Sequence, residues 1–206
     1  MLADIPSASV VLAETRAAFV LLDPENRFFW QHEGGPALPA ASSLPAMVNV
    51  LTAARTRAVP RVFVTVLADA KADSVAWRRR RLILRKGLNR ELDSSPWGSR
   101  LAPALEPTGD ELVISKLRLS AFHGTALTTY LRNLQVETIV LAGVASNGAV
   151  IATALDALSR DLHCFVVHDA TLGTTDGLHD AALAVIGQEN TISTSALCNI
   201  WESRGT

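Results

Sequence analysis

Two charged residues stand where a proton donor and a supporting cation would be useful. Asp23 follows directly on the uncharged run Ala17–Leu22, and Lys116 follows directly on Glu111–Ser115. A carboxylate at the carboxyl end of a strand is either a site residue able to give or take a proton, or a capping group for the next turn. A lysine there either carries its ammonium to water along an apolar stem, or fixes a positive charge near the carboxylate. In the second case it would hold the Asp23 pKa down and stabilise negative charge developing on a substrate. A third stretch, Gly143 to Gly148 followed by Ala149, gathers small residues into a tight turn whose amides could face a ligand.

Other candidates are weaker. Phe28, Phe29, Trp30 and His32 cluster in the segment Pro24 to Pro39, where they would either wall a pocket for a flat ligand or plug the gap between sheet and helix. The run Trp77 to Lys86, with Arg78, Arg79, Arg80 and Arg81, could grip a substrate carboxylate or present a solvated or intersubunit face. His123 is ionisable, but nothing else in its surroundings marks it as a site residue. Cys164 and Cys198 have neither metal-ligand spacing nor a disulfide framework.

The elements that must position these residues are legible from hydrophobic patterning. Thr138 to Asp161 begins as a charge-free aliphatic run, turns through Gly143 to Gly148, and continues with apolar residues at Val150, Ala154, Leu155 and Leu158. This predicts a buried parallel strand feeding a helix, with the site at the carboxyl ends of the strands near Val144 to Ala149. Ala17–Leu22, Arg61–Val66, Glu111–Ser115, His163–His168 and the short Thr191–Ser193 read as further strands. Leu44 to Ala58, Thr125 to Leu134 and Gly177 to Ile186 read as helices, and Asn89 to Pro107 as irregular chain with one short helix. The pattern is α/β, a three-layer sandwich with a mostly parallel central sheet. We expect one domain over residues 1–206, with an N-terminal arm at 1–16 and a C-terminal tail at 195–206 that docks on a neighbouring subunit through Trp201.

With 206 residues and a formal charge of -1, the chain can bury one sizeable core and carries no global field for nucleic acid or an anionic membrane. It has no N-terminal signal pattern and no apolar run of membrane-spanning length, so a cytoplasmic protein with a small-molecule substrate is expected.

Three segments, in order, resemble one family. Gly143 to Val150 with Thr153-Ala154 and Asp156-Ala157, Phe19 to Phe28, and Lys116 to Thr125 are similar to the signature segments of the isochorismatase-like hydrolases, over roughly Ala17 to Ala182. The resemblance implies a Rossmann-like fold of that family, no cofactor, and a homo-oligomer, dimer or tetramer. The family's metal-dependent nicotinamidases carry aspartate and histidines in the segment matching Leu67 to Lys86, where this chain has no histidine, so no metal is expected. It makes Asp23 and Lys116 catalytic. It places loop amides at Val144, Ala145, Gly148 and Ala149 as oxyanion donors, with a non-proline cis peptide at Val144-Ala145, and it makes Asp169 a structural acid. Phe28, Trp30, Leu67, Leu119 and Phe122 are then the expected pocket walls.

The chain departs from the amidohydrolase members at one position: they carry a nucleophilic cysteine where it has Ala149. A methyl group cannot attack a carbonyl, so amide hydrolysis is expected only if Ala149 is an engineered replacement of cysteine. Isochorismatases also lack the thiol. In them the aspartate protonates the methylene carbon of an enolpyruvyl ether, water adds to the oxocarbenium ion, and pyruvate leaves. They have a glutamine near the position of Leu67 and tyrosines near Leu119 and Ala145, where this chain is aliphatic, which points to a less polar substrate. The expected function is therefore Asp-assisted cleavage of an enol ether or related small molecule without a covalent thiol intermediate. Its rival is a non-catalytic descendant that binds a small ligand or serves in an assembly.

Overall fold

The computed structural model describes residues 5–67, 71, 73–88, 92–109 and 111–203. Its centre is a six-stranded parallel sheet in the order β3-β2-β1-β4-β5-β6. The strands are β1 (Ala17–Leu22), β2 (Arg61–Val66), β3 (Leu112–Lys116), β4 (Thr138–Val144), β5 (His163–Leu172) and β6 (Thr191–Ile192). Every residue of β1 and β4 is buried. Strands covered on both faces need no polar side, which is why these two read as unbroken aliphatic runs.

Alternate residues of β1 enter two separate cores. Ala17, Phe19 and Leu21 join Met47, Val50, Leu51 and Ala54 of α3 (Leu44–Thr56) and Leu197 and Trp201 of α8 (Thr194–Ser203). Ala18, Val20 and Leu22 join Leu127 and Leu131 of α5 (Leu127–Asn133) and Ala154 and Ala157 of α6 (Ile151–Leu158). The remaining helices are α1 (Ala8–Glu14), α2 (Asn26–Phe29), α4 (Val75–Leu88) and α7 (Asp176–Ile186). Gly143 has φ +119°, and a Cβ there would run into the Leu22 carbonyl. Only glycine lets β4 approach β1 this closely just before the site loop.

Several sequence expectations shift. Within the N-terminal arm lies α1, capped by the Ser7 hydroxyl, whose Val11 and Leu12 enter the α3/α8 core. Trp201 is 1% exposed in that same core, so it anchors α8 to its own chain and does not dock on a neighbour. The third strand lies at the sheet edge with Val113 and Ser115 exposed, not in a buried centre, and Lys116 is its last residue. Asn89 to Pro107 falls partly outside the described residues, and its helical piece is the short 3-10 turn Pro103–Leu105. Among the described residues no helix is long and apolar enough to cross a membrane.

Candidate active site

Parallel register brings the carboxyl ends of β1, β2 and β4 level. Leu22 pairs with Val64 on one side and Gly143 on the other, so Asp23 emerges between them, its N–H donating to the Val64 carbonyl at 2.8 Å. Asp23 has φ 52°, a left-handed conformation that turns the chain sharply out of the strand. One strand further, Lys116 ends β3 and reaches back: its Nζ lies 2.8 Å from both carboxylate oxygens and donates to Oδ2. The pair is 5% and 3% exposed.

Burial decides the protonation chemistry. Removing the carboxylate from water raises the Asp23 pKa, and this outweighs the opposing charge and hydrogen bond of Lys116 and the charge of Arg27. Lys116 does pull the Asp23 pKa down, as its charge predicts, but burial outweighs it.

The site loop follows β4. The Val144-Ala145 peptide bond is cis, and Ser146–Val150 forms a single π-type turn leading into α6. Ala149 is 3% exposed in the core layer against α6. The Gly148 N–H already donates to the Ala145 carbonyl at 2.9 Å, so of the amides expected to face an oxyanion this one has an internal partner. The loop is fastened from the β5 side as well. Asn147 and Thr174 exchange hydrogen bonds of 2.9 and 3.0 Å, and the buried Ser146 hydroxyl meets His179 Nδ1 of α7 at 3.0 Å.

The expected pocket walls separate into two groups. Phe28 and Trp30 are half-buried over the α3/α8 core; the Arg27 guanidinium lies 5.6 Å from the Phe28 ring centroid, and Trp30 packs on Phe29 and Trp97. Leu67 is half-exposed after β2 with its N–H on the Lys116 carbonyl at 2.9 Å, and Leu119 is half-buried. Phe122 lies elsewhere. It is buried under the Arg160 guanidinium, 4.7 Å from its ring centroid, and borders a groove with Arg16, Glu137 and Leu162, at the amino ends of β1, β4 and β5. That groove lies at the amino ends of the strands, whereas Asp23 stands at the carboxyl end of β1.

In the arginine run, Arg81 pairs with Asp73, and Arg118 stacks on Trp77 at 5.2 Å. Arg78 and Arg79 are exposed, and His123 is exposed. Asp169 caps the start of α8 through Thr194. Among the described residues no three His, Cys, Asp or Glu side chains converge as metal ligands.

Two charged residues beside Asp23 were missed. Glu25 is fully buried, its Oε1 accepting from the Val66 N–H at 2.7 Å and from Arg27 Nη2 at 3.1 Å, while Arg27 also donates to the Val66 carbonyl at 3.2 Å. The signal available was three ionisable residues within a few positions after an uncharged strand, which is dense for a mere exit turn.

Comparison with known proteins shows the family and the fold. The family described as Isochorismatase domain matches residues 17–196. The ureidoacrylate amidohydrolase RutB of Methylobacterium radiotolerans is 38% identical over 96 residues, covering 46% of this chain and 37% of that protein. The chain thus spans well under half the length of that relative. A probable inactive nicotinamidase of Arabidopsis thaliana is 25% identical over 165 residues, covering 80% of this chain and 84% of the relative. The crystal structure of a cysteine hydrolase from Pseudomonas syringae pv. phaseolicola superposes with TM-score 0.81 over 99% of this chain and 100% of that one, at 21% identity, a likeness of fold. The chain belongs to the isochorismatase family.

Proposed function

We propose that this protein is a hydrolase that cleaves a small enol ether or related molecule with Asp23 as general acid, Lys116 as its supporting cation and no covalent thiol intermediate. The observation that carries the reading is the buried Asp23 carboxyl, raised in pKa by desolvation although Lys116 stands at 2.8 Å. A general acid must hold its proton until the substrate needs it. In the reaction, that proton goes to the methylene carbon, whose double-bond electrons form the new C–H bond. Water adds to the resulting oxocarbenium carbon, and the hemiketal collapses to a ketone and the leaving alcohol while the proton from water returns to Asp23. Between donation and return, Lys116 compensates the newly formed carboxylate.

Ala149 offers space at the loop and no nucleophile. Leu67, Leu119 and Ala145 favour a substrate less polar than isochorismate, with Phe28 and Trp30 as its aromatic side. The test is pyruvate release from isochorismate and its amino analogue, compared between the native chain and Asp23→Asn. A loss of about 10²–10⁴-fold is expected for the variant; equal release from both would refute the role of Asp23.

Ala149 also supports a second reading, a non-catalytic binding protein, in line with the relative named as an inactive nicotinamidase. That reading predicts that Asp23→Asn alters ligand affinity or stability and never turnover. Amide hydrolysis, the activity in the name of the RutB relative, would require cysteine at 149. The same proposal takes the chain as one domain acting in the cytoplasm as a homo-oligomer. Exposed Leu155 and Leu158 on α6 and Leu178 and Val185 on α7 support self-association, which sedimentation would measure.

A further inference from the structure

Glu25 is a second buried carboxyl that the reaction above does not use. Its Oε1 is held by Val66 and Arg27, but its Oε2 is equally buried and receives no hydrogen bond among the described residues. Asp23 Oδ1 also receives no hydrogen bond among the described residues, but Lys116 Nζ stands 2.8 Å from it as an ion pair. An ionised oxygen with no donor, removed from water, is strongly disfavoured, whereas a protonated carboxyl needs only one acceptor for its O–H. Among the described residues Arg27 pairs with Glu25 and Lys116 with Asp23, and the charge of Asp23 acts on Glu25.

We propose that Glu25 and Asp23 form a coupled acid pair holding one proton between them in the ligand-free protein, with Glu25 the positioning residue that keeps Asp23 supplied.

The alternative is that Glu25 merely closes the end of β2 as a permanent ion pair with Arg27, since the two together satisfy both the N–H and the carbonyl of Val66. The electrostatics favour the acid pair. Burial, and after it the charge of Asp23, pushes the Glu25 pKa up to about 7 against the attraction of Arg27 and the Val66 hydrogen bond. The groups that face the pair are Lys116 from β3, Arg27 from α2 and the Val66 backbone from β2. Beyond Arg27 stands Asp93, which feels the charges of His32 and Arg27. Asp93 keeps its own charge, its pKa lowered by hydrogen bonds within the turn at Ser95.

The pair exists before any substrate arrives, so this proposal stands without the turnover assigned to Asp23, and its test needs none. The side-chain carboxyl carbons of Asp and Glu are ¹³C-labelled in the full chain, and their NMR shifts are followed from pH 3 to pH 9. For the native protein, Glu25 is expected to titrate well above its ordinary value, with a matching inflection in Asp23. Asp23→Asn removes the neighbouring charge and should lower the Glu25 midpoint by about one unit or more. Glu25→Gln should leave Asp23 titrating in a single step below the upper native midpoint. A Glu25 midpoint at or below the ordinary glutamate value, or one unmoved by Asp23→Asn, would overturn the pair and leave the plain ion pair with Arg27. The native and Asp23→Asn titrations decide the question even if Glu25→Gln fails to fold.

Discussion

Glu25 and Glu111 are both glutamates shielded from solvent and bonded to arginine, yet the fold pushes them in opposite directions. Glu111 stands between α3 and β2: Oε1 accepts from Arg55 Nε at 3.0 Å and Arg61 Nε at 2.6 Å, and Oε2 from Arg55 Nη2 at 2.7 Å and the Thr108 N–H at 2.8 Å. Burial alone would raise its pKa, but the bonds from Arg55, Thr108 and Arg61 more than reverse that, to about 2. At Glu25 only one oxygen is satisfied, one arginine contributes, and Asp23 adds a like charge, so burial prevails. The difference is one of completeness. A carboxylate whose two oxygens are filled with donors stays charged and acts as a fastener, whereas one left half-filled retains a proton.

The largest effect should come from removing the cation of the half-filled cluster. Lys116→Met leaves the Asp23 carboxyl buried without its partner and is expected to cost about 3–5 kcal/mol at alkaline pH, where Asp23 is ionised. Urea denaturation checks this, and the loss should shrink in acid as Asp23 takes up a proton.

Next comes the pH dependence of Glu25→Gln. The native Glu25 pKa is raised on folding, so the folded state holds the proton more tightly than the unfolded chain. Native stability from this group is therefore present in acid and declines as pH rises from the unfolded value of 4.5 towards about 7. The stability of Glu25→Gln relative to native should grow across that window by up to about 1.4 kcal/mol per pH unit.

Glu111→Gln sharpens the contrast, because its sign is reversed. The depressed native pKa gives stability that is full above 4.5 and is lost as pH falls towards about 2. The variant should be less stable by about 1–3 kcal/mol at pH 7 and nearly equal to native in strong acid, by thermal unfolding at each pH. If Glu25→Gln and Glu111→Gln showed the same pH trend, the distinction between the two clusters would fail.

The smallest effect is expected at the other end of the sheet. Arg160→Met removes the guanidinium over Phe122 and should cost about 0.5–1 kcal/mol with no change in turnover, consistent with the distance of Phe122 from the site.

Much of this arrangement is legible in the sequence because the sheet is parallel and doubly covered. Ala17–Leu22 and Thr138–Val144 are uncharged and buried throughout, so Asp23 and the Gly143 turn stand out as the places where the strands end. Lys116 was found by the same reasoning, although its strand is an edge strand. Three-dimensional balances were not legible. The direction of the Asp23 shift depends on how much burial opposes Lys116, a competition no linear pattern records. Phe122 sits a few residues beyond Lys116, and nothing in the linear pattern shows that it borders a groove at the amino ends of the strands. Glu25 and Arg27 look like solvated turn residues until β2 is placed beside them and Val66 takes both. Trp201 was misread as a docking residue because a terminal indole gives no hint of whether its own core has room for it.

The most direct test of the central claim, hydrolysis by a buried acid without a thiol, is a side-by-side assay of the native chain and Asp23→Asn on isochorismate and on ureidoacrylate. On isochorismate, which is more polar than the pocket favours, the account predicts slow pyruvate release by the native chain that falls about 10²–10⁴-fold in Asp23→Asn, and no consumption of ureidoacrylate by either protein. Consumption of ureidoacrylate by the native chain, with Ala149 in place, would contradict it.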